Sequence, residues 1–250
     1  MSVSWGDHLV FGEGDGKLDT PELLDSAMSR WKENLDAGTI LWRENRSRQD
    51  DYVFAAEGYE YAAKVHKNLP DFDDFEISVS LAHNHGLKNY LYVTLNDHGW
   101  PLPDKNTRKT SFHNEWHAKD ISFQTRFSHD NPKYVLEDRI GNKQWGVLCL
   151  AYPEVRQYLQ NQYLELLQDY NFDGLFVCMR SQSKPSDFAD QFGFNEPIVE
   201  EFKSKFGKNI LEDDFDLQLW RDLQGEYLTI FLSELNEKLL KINHSLGIGC

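Results

Sequence analysis

Short apolar runs alternate along the chain with longer stretches whose apolar residues recur every three or four positions. The short runs predict strands, and the three-four spacing predicts amphipathic helices. Val3-Ser4-Trp5 is the first predicted strand and ends in Gly6-Asp7-His8. Thr20-Pro21-Glu22 then opens a helix to about Leu35. Thr can cap, Pro suits the first helical position, and Glu suits the positive end of the helix dipole. Gly38 to Trp42 is the second strand, ending in Arg43-Glu44-Asn45. Asp73 or Asp74 opens a helix that His85-Gly86 closes. Leu87 to Leu95 is the third strand, ending in Asn96-Asp97-His98-Gly99-Trp100. Pro153-Glu154 starts a helix to about Tyr170, and Asp173 to Met179 is the fourth strand, ending in Arg180-Ser181. Asn195-Glu196-Pro197 opens a short helix to Gly207. From Phe215 to Ile242, Trp220, Leu223, Tyr227, Leu228, Phe231, Leu235 and Leu239 mark one long helix. Leu246 to Cys250 reads as a fifth strand.

Strand and helix alternate, so the expected fold class is α/β, with a parallel sheet covered by helices. A closed (β/α)8 barrel of TIM type is one solution, and an open doubly wound sheet is the other. The excursion from Pro101 to about Trp145 interrupts the alternation. Excursions of this length are functional or disordered. Phe112, Trp116, Phe123, Phe127, Tyr134 and Trp145 argue that it is ordered. No linker divides residues 1–250, so one domain is expected.

Composition narrows the function classes. The chain is 40% hydrophobic, 14% aromatic and 27% charged, a globular profile with material for a sizeable core. Its net charge of −15 opposes phosphate backbones, so no nucleic-acid partner is expected, and neutral or cationic ligands are favoured. Cys149, Cys178 and Cys250 show no metal-ligand spacing and exclude a disulfide scaffold. Cys149 and Cys178 lie in apolar runs, as buried thiols do. The N-terminus has no basic segment followed by a long apolar one, and no run is long enough for a membrane helix. The chain reads as soluble, with no membrane partner.

The strand ends are polar: Asp7 and His8; Arg43 and Glu44; Asp97, His98 and Trp100; Arg180 and Ser181. In a parallel barrel these ends gather on the functional face. Loops are polar in any protein, but Trp5, Trp42 and Trp100 sit beside these groups. Aromatic faces next to carboxylates suit sugar rings, which stack through C–H and hydrogen-bond through hydroxyls. Glycoside hydrolysis uses two carboxylates, about 5–5.5 Å apart for retention and 6.5–9.5 Å for inversion. Asp7, Glu44 and Asp97 are therefore the candidate catalytic groups. Trp5, His8, Trp42, Arg43, His98, Trp100, His113, Trp116 and Arg180 are the candidate substrate contacts. No cofactor and no resident metal are expected.

Three motifs compete with this reading. The segment from Glu13 to Glu22 resembles a calcium loop, but its first ligand position would be Phe11, which cannot coordinate the ion. His113-Asn114-Glu115-Trp116-His117 sets two histidines four apart without a third ligand in view. A metal-dependent hydrolase, such as a deacetylase built on Asp7, His8, His98, His113 or His117, is the reading that would use it. Ser181 lacks the glycines of a nucleophile elbow.

Several segments together resemble the glycosyl hydrolase-like family ten barrels, relatives of the α-amylase superfamily. They are AHNHGLKNYLYVTLNDHGW (82–100), RFSHDNPKYVLEDRIG (126–141), LAYPEVRQYL (150–159), YNFDGLFVCMR (170–180), FGFNEPIVEEFKSKFG (192–207) and DFDLQLWRDLQGEYLTIFLSELN (214–236). The resemblance implies a (β/α)8 fold and chemistry on the glycosidic bonds of an oligo- or polysaccharide. It matches Asp173, Gly174 and Arg180 to the family's fourth strand, and it sets Cys178 where the nucleophilic Asp would stand. A thiol does not simply replace a carboxylate at an anomeric carbon. Either other carboxylates act, or the chain binds carbohydrate without cleaving it. The family's acid/base lies at the end of the fifth strand, where this sequence stops. The barrel therefore reads as C-terminally incomplete, with about five βα units. Its open edge predicts self-association.

Overall fold

Strand β1 (Ser2–Val3) leads into helix α1 (Pro21–Leu35), and β2 (Thr39–Arg43) follows. Thr20 Oγ1 accepts the Leu23 N–H at 3.3 Å, and Pro21 occupies the first turn, so the predicted cap forms. After β3 (Tyr52–Phe54) comes α2 (Asp74–Asn84), where the Asp73 carboxylate accepts the N–H groups of Phe75 and Glu76. Strands β4 (Lys88–Asn96), β5 (Gly99–Trp100) and β6 (Phe123–Thr125) precede a short helix α3 (Arg126–Asp130) and the hairpin β7 (Val135–Glu137) and β8 (Lys143–Leu148). Helix α4 (Pro153–Asp169), β9 (Gly174–Ser181), α5 (Glu196–Phe206), α6 (Leu217–Ile242) and β10 (Gly247–Gly249) complete the order. The computed structural model describes residues 1–4, 8–9, 12–44, 52–54, 70–101, 123–181 and 186–249.

The main sheet has the order β1-β2-β4-β9-β10, and each neighbouring pair is parallel. These are the five strands expected from the sequence. Parallel neighbours need crossover connections, which the helices supply. The α/β architecture is that of an incomplete (β/α)8 barrel, with β1 and β10 at the edges of the described sheet.

The two faces of this sheet differ. On one, Val3, Ile40, Trp42, Leu91, Val93, Leu175 and Val177 are at most 1% exposed. They pack in one core with Leu24 and Met28 of α1, Val79 of α2, Leu159 of α4 and Phe231 and Leu235 of α6. On the other face Leu41, Arg43, Tyr90, Tyr92, Phe176 and Cys178 are half-buried. The alternation of Leu91 and Val93 with Tyr90 and Tyr92 sets this division, because successive residues of a strand point to opposite faces.

A second cluster joins Cys149, Phe194, Ile198, Phe202, Trp220 and Tyr227. Helix α6 is long enough to serve both clusters: Trp220 and Leu223 enter the second and Leu235 and Leu239 the first. Glu234 fastens α6 to α4, accepting from Gln160 at 2.9 Å and from Arg156 at 3.2 Å.

The excursion contains strands that the sequence did not announce. β6 pairs antiparallel with both β3 and β5, and β7 with β8. Each of β5, β6 and β7 has three residues or fewer, too short for an alternation to stand out. In the excursion's described part, Phe127 stacks on Tyr158 of α4 with ring centroids 3.9 Å apart. Residues 102–122 lie outside the described residues.

Candidate functional site

The half-buried face meets the C-terminal ends of β2, β4 and β9 in a polar rim. Arg43 ends β2 and lies level with Tyr92 of β4 and Phe176 of β9. Its guanidinium sits 5.8 Å from the centre of the Tyr92 ring. Its Nη2 also reaches Asp97 Oδ2 at 3.4 Å, a loose ion pair whose side chains are 22% and 15% exposed. Glu44 follows Arg43 and is 8% exposed. Its N–H donates to the Tyr92 carbonyl at 2.8 Å, which carries the parallel ladder one residue past β2.

Tyr92 and Phe176 meet edge to face, with centroids 5.1 Å apart and planes at 79°. The Tyr92 hydroxyl is pushed up to about 12, first by burial, then by its hydrogen bond and proximity to the Cys178 thiol. The positive charges of Arg43 and Arg180 pull it the other way. Three groups thus act on one hydroxyl.

Glycines let the aromatic rings lie down on this face. A Cβ on Gly174 would stand 2.4 Å from Tyr90 Cε1 and 2.6 Å from the Gly247 carbonyl. One on Gly249 would stand 3.3 Å from the Phe176 ring.

Further along, Thr94 pairs with Cys178 but Asn96 pairs with Ser181, so β9 carries an extra residue between the two pairs. Such a bulge re-aims side chains and is common at barrel rims beside active sites. Asn96 Nδ2 donates to the Met179 carbonyl at 2.9 Å and pins the bulge. Arg180 leaves the bulge exposed.

Of the residues singled out by sequence, Glu44, Asp97, Arg43 and Arg180 follow or end three neighbouring strands. His8 is half-buried, and its Nδ1 lies 3.0 Å from the Ser4 carbonyl. Two placements correct the expectation. Trp42 is wholly buried on the helix-covered face, where its indole N–H donates to Asp74 Oδ2 at 2.9 Å. It presents no ring face to a sugar, because it precedes Arg43 by one residue and must point the opposite way. His98 is also wholly buried: Nδ1 lies 3.2 Å from Thr125 Oγ1 and Nε2 3.1 Å from the Leu95 carbonyl. It ties the excursion to the end of β4 rather than facing a ligand. The main chain of Trp100 pairs with Phe123. Trp5, Asp7, His113, Trp116 and His117 lie outside the described residues.

Tyr92 and Phe176 are candidate site residues that the strand-end rule does not reach. The signal was the parity of LKNYLYVTL, which separates the two tyrosines from the leucines. Among the described residues, no group of three or more His, Cys, Asp or Glu could hold a metal ion. The segment resembling a calcium loop forms an exposed 3₁₀ turn at Gly14–Gly16. Also among the described residues, no helix is long and apolar enough to cross a membrane.

No protein-family model matches the chain, and no curated protein matches it. Solved structures do. The catalytic domain of β-amylase from Paenibacillus polymyxa superposes with a TM-score of 0.54 at 9% identity, over 96% of this chain and 64% of that one. Alpha-L-fucosidase isoenzyme 2 from Paenibacillus thiaminolyticus gives 0.52 at 14% identity, over 100% of this chain and 32% of that one. β-Galactosidase from the psychrophilic Marinomonas ef1 gives 0.51 at 9% identity, over 89% and 34%. The chain therefore spans about a third to two thirds of the length of these proteins. At such identities the likeness is one of fold alone: an α/β fold of TIM-barrel type, over the part of those structures that the chain spans.

Proposed function

We propose that the chain is a glycoside hydrolase-like barrel of the family-ten type and acts on glycosidic bonds of an oligo- or polysaccharide. The observation that carries this reading is the position of Glu44 and Asp97, which directly follow the neighbouring strands β2 and β4. That rim is where parallel barrels hold their active sites. Hydrolysis needs one carboxylate as proton donor and one that stays ionised. Asp97, paired with Arg43, suits the ionised role, and the more deeply buried Glu44 suits the donor. Asp7 is the third candidate carboxylate. Tyr92 and Phe176 offer ring edges and faces to a sugar, and His8 and Arg180 offer hydrogen bonds. Trp5, Trp100, His113 and Trp116 remain proposed contacts on the strength of the sequence.

A second reading is favoured by Cys178. It faces the site beside Tyr92, at the position where the resemblance sets a nucleophilic Asp. A thiol there favours a barrel that binds carbohydrate without cleaving it. One experiment separates the two. The purified protein is incubated with a panel of oligosaccharides, beside Asp97→Asn and Glu44→Gln. Cleavage that falls at least about 100-fold in either variant, the size of a lost acid-base group, supports hydrolysis. Binding without turnover in the parent supports the second reading. Neither binding nor turnover sinks both.

A further inference from the structure

We infer that Phe188, on the loop between β9 and α5, is a stacking platform for an outer sugar unit of the glycan that the rim holds. The inference rests on the carbohydrate reading above and adds a second point of contact to it. Among the described residues only two aromatic side chains are exposed, Phe188 at 64% and Phe206 at 39%. Phe206 closes α5 at the end away from the rim and packs on Phe202, with ring centroids 4.6 Å apart. Phe188 meets no other ring among the described residues. Its loop leaves the C-terminal end of a barrel strand, and such loops build the functional face.

The turn that carries Phe188 is held in place. The Asp187 N–H donates to Gln191 Oε1 at 2.6 Å, which closes the turn around Phe188. Arg221 of α6 clasps both carboxylate oxygens of Asp190, with Nε reaching Oδ1 at 2.8 Å. Asp190 takes a left-handed backbone there, with φ 68°, which Asp tolerates better than most residues. Phe192 bridges to Asp138, and the N–H groups of Gly193 and Phe194 donate to the Glu137 carbonyl at 2.9 and 3.0 Å. Glu137 belongs to β7, β7 pairs with β8, and the Gly146 carbonyl of β8 accepts the His98 N–H at 3.1 Å. His98 follows Asp97, so backbone hydrogen bonds connect the rim to the base of the Phe188 turn.

The chemistry of the turn suits a neutral sugar. An apolar ring gains by leaving water, and its own loop leaves most of Phe188 uncovered. The face of a phenyl ring fits the C–H face of a pyranose. The exposed carboxylate of Asp187 beside it can accept sugar hydroxyls. A turn already closed spares the glycan the cost of ordering it. The acidic flank and the net charge of −15 both favour an uncharged unit. Phe188 belongs to the loop and the Tyr92–Phe176 pair to the sheet, so the two surfaces take different units of one glycan.

The test is a length series. Neutral α-glucan, β-glucan and β-galactan oligosaccharides, from disaccharide to hexasaccharide, are titrated into the full chain by calorimetry. In a series that binds, affinity rises with length. Phe188→Ala cuts the gain between the shortest and longest member about fivefold, the worth of one packed aromatic contact. Phe188→Trp keeps the gain. Phe206→Ala, the control at the other exposed aromatic, leaves the gain as in the parent. Circular dichroism and thermal melting of the variants match the parent, because exposed side chains contribute little to stability. An equal gain in the parent and in Phe188→Ala would overturn the inference and leave the carbohydrate reading standing, as would equal losses in Phe188→Ala and Phe206→Ala. No binding by any member of any series would overturn both.

Discussion

Trp42, Leu91 and Leu175 form one row across the sheet, and one residue further Arg43, Tyr92 and Phe176 form the next. The first row is wholly buried under helices, and the second is half-buried and polar. The strands, the hydrogen-bond ladder and the register are common to both. Only the parity of the residue differs, and with it everything the residue is selected to do. The helix-covered face holds the fold together by removing apolar side chains from water. The opposite face keeps a phenol, a thiol and two guanidiniums within electrostatic reach of one another. A barrel strand can therefore be read as two interleaved sequences, one for stability and one for chemistry.

Substitutions one residue apart test the division. Leu91→Ala should cost about 3 kcal/mol of stability in urea denaturation, the usual penalty for a cavity in a tight core. Tyr92→Phe, next in the chain, should change it by less than about 0.5 kcal/mol. Equal costs would erase the distinction between the faces. Gly174→Ala should cost about 2 kcal/mol, because its Cβ overlaps a backbone carbonyl as well as the Tyr90 ring. That loss would show that the inner face has its own packing requirement where its rings lie on glycine. Trp42→Phe should cost about 1 kcal/mol, since it removes the hydrogen bond to buried Asp74 while keeping most of the apolar volume. A Trp42 that served a sugar would instead weaken binding and leave stability unchanged.

The smallest effect at ordinary pH lies in the alkaline limb. Burial pushes the Cys149 thiol up to about 12, and the hydroxyls of Tyr92 and Tyr152 are raised to about 12 as well. In the unfolded chain these groups lose their protons from about 9 for Cys and 10 for Tyr. Below those values both states are protonated and the raised pKa values cost nothing. Above them the unfolded chain sheds protons that the fold retains, so stability falls as pH rises from 9 towards 12. Urea denaturation at pH 8, 9, 10 and 11 should give a flat value first and then a decline. A rise over that range would contradict the burial assigned to these groups.

Much of the frame is legible in the sequence. The caps at Thr20 and Asp73, and the three-four spacing of α6, are local signals, and the helices begin where those signals stand. The five parallel strands are legible because each is an apolar run between helices. Strands β5 to β7 are not, because two or three residues give no period, and the partners of β5 and β6 are distant in sequence as well. At the rim, Arg43, Glu44, Asp97 and Arg180 are found by their place at strand ends. Trp42 is misassigned by the same rule, which counts proximity in the chain and ignores parity. His98 is misassigned because nothing local announces Thr125, the residue that meets its ring. Tyr92 and Phe176 escape notice because they lie inside strands, where the rule does not look.

The central claim is that carbohydrate meets the half-buried face of the sheet at the C-terminal ends of β2, β4 and β9. The most direct measurement is NMR of the protein titrated with an oligosaccharide that it binds. The side-chain signals of Arg43, Tyr92, Phe176 and Arg180 should shift together with one affinity, while those of Leu91, Val93 and Val177 stay in place. Shifts centred on the helices, or on the α5–α6 cluster around Trp220, would contradict the claim.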